Sequence, residues 1–390
     1  MIFTLRAVAK MMRIETMVRV LIVSLMLWAS TAGADGQSMV IHDLNVPYVS
    51  SEDPDLKLYA GFIRAGDQPK PILAYLHGWH GNRYYVQRDL GGNRFMLDRF
   101  FLVGVDMRGR GSTGAKNWWG TPDPAQEGKD GPFSAGTPDA NGYELNDIVD
   151  AIEAAKRLYP QHVIADRVYV IGHSGGGGNT MGLLGKFPDY FCAAYAGSGM
   201  SDYRRWAELT SWRESIEGWV GAKLDEKPTA FTSRGGLTTV INRLTPIALS
   251  HGTADTSVPF ELSKSYVDAN AKFGKSVPFE VVEGRGHGVW GHYEEMVAFL
   301  DQHTQPPTLS VKGKLIIAGY VKTNRFQILL PSVDSITECE YDLTGPLSLR
   351  LRGGEPGTVT IRTPTGDSDE WREQRWEFED EGDFTLVVRE

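Results

Sequence analysis

Cysteine is scarce in this chain of 390 residues, with Cys192 and Cys339 the only two. Two thiols cannot build a cysteine-rich zinc site. They fall on either side of a composition break, and nothing in their spacing suggests a pair, so buried free thiols are the plain alternative to a disulfide. Long apolar runs are equally few. Beyond the amino-terminal segment none approaches the roughly 20 apolar residues that a spanning helix needs. An excess of positive charge is missing too. The formal net charge is −9, and an acidic chain repels phosphate backbones, which argues against nucleic acid as a partner. No internal repeat at solenoid spacing is present. What remains, 41% hydrophobic and 23% charged residues, suits a large globular core and excludes disordered, collagen-like and coiled-coil chains.

The amino-terminal segment reads as a targeting signal rather than as part of the fold. Arg6, Lys10, Arg13 and Arg19 form a basic region, interrupted by Glu15, and an apolar run follows over 20–29. Small residues at Ala32 and Ala34 then offer a cleavage site after Ala34, the layout of a secretory signal peptide over 1–34. An uncleaved membrane anchor is the alternative. Cleavage removes four basic and one acidic residue, taking the net charge from −9 to −12. The protein is therefore expected to be secreted or periplasmic, with no membrane contact once the signal is gone.

From 39 to 305 the chain alternates strand-like and helix-like stretches. Short apolar strands are expected at 72–76, 100–105, 168–171, 192–195, 246–250 and 278–282. Leu145, Ile148, Val149, Ile152, Ala155 and Leu158 share one face of a helix over 144–158. Further helices are expected over 175–186, 261–272 and 292–302. This alternation implies an α/β fold, a doubly wound and mainly parallel sheet with helices on both faces, over 35–305. Two stretches interrupt it. Residues 112–141 are rich in Gly, Pro and Asp and hold Trp118 and Trp119; residues 201–243 hold Trp206, Trp212 and Trp219. Both suit a cap or lid. Their tryptophans either pack under a loop or meet a ligand, and Trp118, Trp119 and Trp206 are the candidate substrate-contacting residues. After Pro306-Pro307 helical periodicity disappears. Short strands at 315–321, 325–330, 347–351, 358–361 and 384–388 predict a separate all-β module over 308–390, a small sandwich.

The strongest chemical signal is Val168-Tyr-Val-Ile-Gly172-His173-Ser174-Gly175-Gly176-Gly177. An apolar strand runs into G-x-S-x-G and then into a helix, the context that makes this motif a nucleophile elbow. The turn is so tight that side chains at Gly172 and Gly176 would collide, and Ser174 is left exposed at the sheet's carboxyl edge. A serine hydroxyl is a weak nucleophile and needs a base, which in turn needs an orienting acid. Strand 246–250 leads into His251-Gly-Thr-Ala-Asp255, and strand 278–282 leads into Gly286-His287. Ser174, Asp255 and His287 thus follow one another in the chain order of a hydrolase triad, each at a strand end. His292 opens a helix, His251 is expected to fix the acid's loop, and Asp106 lies upstream of the serine. The tetrahedral intermediate needs two backbone donors. The N–H of Gly175 supplies one. The other is assigned to the N–H of Trp79, in the His77-Gly78-Trp79-His80-Gly81 loop. No metal or other cofactor is required for such chemistry.

These segments together resemble the prolyl oligopeptidase-like branch of the α/β hydrolases, which includes peptidases, acetyl xylan esterases and related esterases. Leu76-His-Gly78, Asp106-Met-Arg108-Gly109-Arg-Gly111-Ser112, the Asp166-to-Gly176 stretch, His251 to Pro259 and Gly286-His287 carry the likeness, over residues 70–300. The resemblance implies a serine hydrolase and gives the segment around Arg108 a structural part. The large peptidases of that branch carry a β-propeller ahead of the hydrolase domain; the stretch between Ala34 and Ile72 is shorter than one propeller blade, and the module after Pro307 is unlike theirs. On this ground the expected activity is hydrolysis of carboxylic esters, small or polymer-borne, with a serine-type peptidase acting on peptides as the alternative.

Overall fold

Strands and helices alternate through the larger part of the structure, a computed structural model in which residues 38–79, 81–109, 132, 134–290, 292–365 and 370–388 are described. The predicted signal segment 1–34 lies outside the described residues, as do Trp118, Trp119 and most of the predicted 112–141 insertion. Residues 41–390 form one compact unit.

The first part runs β1 (Val40–Val49), β2 (Lys57–Ala65), β3 (Lys70–Leu76), α1 (Tyr84–Leu90), α2 (Arg94–Leu97), β4 (Phe101–Val105), α3 (Glu144–Leu158), β5 (Val163–His173), α4 (Gly175–Lys186) and β6 (Ala193–Gly197). It continues with α5 (Tyr203–Leu209), α6 (Arg213–Val220), α7 (Pro228–Thr232), β7 (Ile247–Gly252), α8 (Phe260–Lys272), β8 (Phe279–Val282) and α9 (Tyr293–Leu300). Among the described residues the sheet has the order β1-β2-β4-β3-β5-β6-β7-β8. From β4 to β8 neighbouring strands are parallel, and β2 pairs antiparallel with β4. Both faces are covered, so β4, β6 and β7 are buried at every position, which is why they read as unbroken apolar runs. The predicted α/β architecture is the observed one. Helix α3 keeps its predicted bounds and buries Leu145, Ile148, Val149, Ile152 and Ala155. Leu158, assigned to the same face, is exposed at the helix's last residue.

The carboxyl-terminal part is antiparallel: β9 (Lys312–Ala318), β10 (Tyr320–Lys322), β11 (Gln327–Leu329), β12 (Ile336–Asp342), β13 (Ser348–Gly354), β14 (Gly357–Pro364), β15 (Trp371–Phe378) and β16 (Gly382–Val387). They form one continuous sheet of order β15-β14-β11-β10-β9-β12-β13-β16, where the sequence suggested the two sheets of a sandwich. The sheet curls so that its end strands meet. Phe378 of β15 stacks on Phe384 of β16, with ring centroids 3.8 Å apart, and both ends contribute to one core with Leu315, Ile317, Phe326, Ile328, Leu349 and Leu351.

This sheet is fastened to the hydrolase part by buried polar groups. Lys186, the last residue of α4, is buried, donates to the Ala318 carbonyl at 2.6 Å and lies 4.4 Å over the Tyr320 ring. Asn242 exchanges two hydrogen bonds with Ile316, at 2.7 and 2.8 Å. Arg234 pairs with Asp334 at 2.7 Å, and Glu52 is held by Lys322 and by Arg362. Tyr320 and Leu329 belong to the main hydrolase core. Both cysteines are buried free thiols.

Candidate active site

β5 delivers His173 and Ser174 to the carboxyl edge of the sheet, and α4 leaves at once in the opposite direction. Ser174 takes up φ 57°, ψ −120°, a left-handed backbone that a non-glycine residue holds only under constraint. The constraint is close packing. A Cβ on Gly172 would stand 2.1 Å from the Gly176 carbonyl oxygen, and one on Gly176 would stand 2.0 Å from the Leu76 carbonyl oxygen. Only glycine fits either place. The Ser174 N–H donates to Gly197 at 2.9 Å and its carbonyl accepts from Gly178 at 3.0 Å, which fixes the elbow.

The loops after β7 and β8 bring Asp255 and His287 to the same point. His287 Nε2 lies 2.9 Å from Ser174 Oγ, and His287 Nδ1 lies 2.7 Å from Asp255 Oδ2. The distribution of partners sets the tautomer: Nδ1–H donates to the carboxylate, and Nε2 is left to accept the serine proton. The other oxygen of Asp255 accepts from the N–H groups of Ser257 and Val258, both at 2.9 Å. Burial alone would raise the Asp255 carboxyl, but hydrogen bonds from His251, His287 and Val258 outweigh it and hold the group well below the usual carboxylate range.

His251 occupies the place expected of it. Its Nε2 lies 3.1 Å from Asp255 Oδ2 and 2.9 Å from the Val258 carbonyl, and its Nδ1 lies 2.7 Å from Ser263 Oγ. The acid's loop is therefore tied to the start of α8 through this buried ring. His292 is the exposed residue that precedes α9. Asp106 is structural: wholly buried, it pairs with Arg83 and accepts from Ser134 at 3.2 Å. Burial, against the pull of Arg83, pushes its carboxyl up to about 6. Arg108 pairs with buried Asp147 at 2.7 Å, which gives the segment around it the scaffolding part that the resemblance implied.

The loop after β3 passes beside the serine. A Cβ on Gly78 would lie 3.9 Å from Ser174 Oγ, and one on Gly175 would lie 2.8 Å from the Trp79 backbone nitrogen. Both assigned oxyanion donors, Trp79 and Gly175, thus sit next to the nucleophile, and the Gly175 amide opens a helix, where backbone N–H groups have no intrahelical acceptor.

Trp206 corrects the sequence reading. It is 3% exposed, and its indole N–H donates to the Ser257 carbonyl at 2.9 Å. It is a core residue bracing the acid's loop, not a wall of the site, because α5 turns that face inward. Two aromatic rings at this edge of the site, one beside His287 and one behind it, carried no sequence signal beyond their position. His173 lies with its ring centroid 5.2 Å from that of His287, and Trp290 packs edge-on against His173 at 5.5 Å. Burial, helped by the adjacent His287, pushes the His173 imidazole down to about 4, so it stays neutral at working pH.

Comparison with known proteins agrees with this fold. Residues 133–306 match the family model described as the prolyl oligopeptidase family. The fold is similar to that of acylaminoacyl peptidase from Pyrococcus horikoshii, at 20% identity and a TM-score of 0.54, covering 70% of this chain and 43% of that one. An acylaminoacyl peptidase in complex with Z-Gly-Gly-Phe-chloromethyl ketone matches at 19% identity and a TM-score of 0.54, covering 70% and 43%. Dipeptidyl peptidase 4 from Porphyromonas gingivalis matches at 14% identity and a TM-score of 0.51, covering 68% and 36%. The chain spans less than half the length of these proteins. All three bear peptidase names, so the preference for esters expected from the sequence finds no support here.

Proposed function

Because the chain is a prolyl oligopeptidase-like serine hydrolase of the α/β-hydrolase fold, we propose that it is an exported serine peptidase. Ser174 is the nucleophile, His287 the general base and acid, and Asp255 the orienting acid. The observation that carries this reading is the unbroken relay from Ser174 Oγ through His287 to Asp255, at 2.9 and 2.7 Å.

The steps follow from that relay. Ser174 Oγ attacks the scissile carbonyl carbon as its proton passes to His287 Nε2. The imidazolium so formed is stabilised by the Asp255 carboxylate, which stays ionised. Negative charge on the former carbonyl oxygen is met by the N–H groups of Gly175 and Trp79, at the positive end of α4. His287 then gives its proton to the leaving nitrogen, the C–N bond breaks and an acyl-serine remains. Water, deprotonated by the same Nε2, attacks the acyl carbon and releases the carboxylate product and the serine. A peptide nitrogen leaves only when protonated, so this substrate class asks most of the His287 geometry. The peptidase reading is supported by the family match and by the names of the similar structures.

The test compares kcat/KM for peptide amides with N-acylated, alanine and proline ends against unactivated esters such as acetylated and feruloylated sugars. The best peptide is expected to exceed every such ester. An unactivated ester exceeding every peptide would return the protein to the esterase reading. Export is tested by sequencing the amino terminus of the mature protein, expected to begin at Asp35.

A further inference from the structure

Trp79 stands between the nucleophile helix and the helices that interrupt the sheet. A Cβ on Gly175 would come within 1.8 Å of Trp79 Cδ1, so the indole lies directly on the first residue of α4. Trp219 of α6 stacks against the Trp79 indole at 4.3 Å between centroids and 12° between planes. Trp206 of α5 meets the same ring edge-on at 4.8 Å, and Tyr203 lies 6.1 Å away. A single aromatic cluster therefore links the 201–243 segment to the loop that passes beside Ser174.

We infer that Trp219 is a positioning residue for the second oxyanion donor: its ring holds the Trp79 indole flat against α4 and so fixes the Trp79 N–H beside Ser174. This rests on the serine-hydrolase reading above and on Trp79 as donor. The backbone turn and the indole packing together set that amide. Trp79 follows Gly78 and is the second residue of a tight turn closed by the Gly81 N–H to Gly78 carbonyl bond of 2.8 Å, and the glycine before it is conformationally permissive. The buried indole is packed on three aromatic rings, so its neighbours help decide where the amide points. Trp219 is half-buried and belongs to a segment outside the sheet. Oxyanion donors tolerate displacement of only about 0.5 Å, and loss of one donor costs about 10²–10³ in kcat.

The test is steady-state kinetics of Trp219→Ala and Trp219→Phe, with fluorophosphonate labelling rates measured on the same samples. Trp219→Ala should lower kcat by roughly 10- to 100-fold, less than loss of a donor, with KM nearly unchanged and the pH profile unshifted. The labelling rate should fall in step, because the phosphonyl oxygen uses the same donors. Trp219→Phe keeps a flat ring and should recover most of the rate. Trp212→Ala, which removes another half-buried tryptophan packed on the same cluster, should leave kcat near wild type. A rise in KM at constant kcat, an equal loss in Trp212→Ala, or no effect at all would overturn the inference. Should Trp219→Ala not fold, Trp219→Leu against Trp219→Phe asks the same question: a low Leu and a restored Phe support it, equal rates overturn it. If Ser174 itself is not labelled in the wild type, the serine-hydrolase reading fails; labelled Ser174 with an indifferent Trp219 fails this inference alone.

Discussion

Two histidines share one oxygen of Asp255, and they do different work. His287 turns its free nitrogen to the serine, whereas His251 is locked between Asp255, Val258 and Ser263. Because the folded carboxyl is held below its unfolded value, Asp255 stabilises the protein at all pH above the unfolded carboxylate range. That contribution disappears as acid carries the pH down through the depressed value. Asp255 therefore remains ionised between pH 5 and 8, and its carboxyl is expected to add no proton to any fall of activity in that range. A steeper, two-proton fall in kcat/KM would count against this. Asp255→Asn should lower kcat by about 10³–10⁴, since the amide no longer selects the required tautomer. His287→Ala should abolish turnover, while His292→Ala, at the exposed start of α9, should leave kcat/KM within a few-fold. The three residues were legible in the sequence because each follows an apolar strand in the order the fold demands. The inward turn of Trp206 was not legible, because a sequence gives a tryptophan's neighbours along the chain and not the face its helix buries.

At the scale of elements, the elbow between β5 and α4 has no room to give. The atoms that a Cβ on Gly176 would strike are backbone of the last residue of β3, a central strand, and of the residue after it. Gly176→Ala should therefore destabilise the protein by about 3 kcal/mol, at the upper end of overpacking costs, and displace Ser174 as well. Urea unfolding together with residual kcat checks both. A variant as stable and active as wild type would mean that β3 and α4 are not packed as described. The bounds of α3 and α4 could be read from apolar periodicity and from the G-x-S-x-G turn. Strands β12 and β15 could not. β12 alternates buried and half-exposed positions, and its outward Glu340 pairs with Lys314 at 2.7 Å and Arg352 at 3.0 Å on neighbouring strands. β15, Trp371–Phe378, has no fully buried residue. Strands held by cross-strand ion pairs lack the apolar run that marks a buried strand.

For the molecule as a whole, the break at Pro306-Pro307 was legible as a change of composition, yet the packing of the second sheet on the nucleophile helix was not, since the Ala318 carbonyl that Lys186 meets lies 132 residues away. Truncation after Gln305 would remove Ala318 and Tyr320 from Lys186 and open the main core at Tyr320 and Leu329. The truncated protein is expected to be insoluble or inactive; a soluble, fully active fragment would mean that the β module folds apart. Burial, reinforced by Arg234, pushes the Lys186 amine down to about 7. A lysine whose folded value lies below its unfolded one of about 10.4 weakens the fold progressively as pH falls between them, and by a constant amount below. Lys186→Met should therefore flatten the rise in Tm between pH 7 and 10 that this group gives the wild type; an unchanged slope would show the amine to be solvated. The central claim, that peptide cleavage passes through Ser174, is tested most directly by mapping the residue modified by a fluorophosphonate while following peptide hydrolysis in the same sample. One phosphonyl group on Ser174, hydrolysis lost in proportion to it, and a Ser174→Ala variant slower by roughly three to six orders of magnitude are the predicted result. Modification at another residue, or peptide hydrolysis retained in Ser174→Ala, would contradict it.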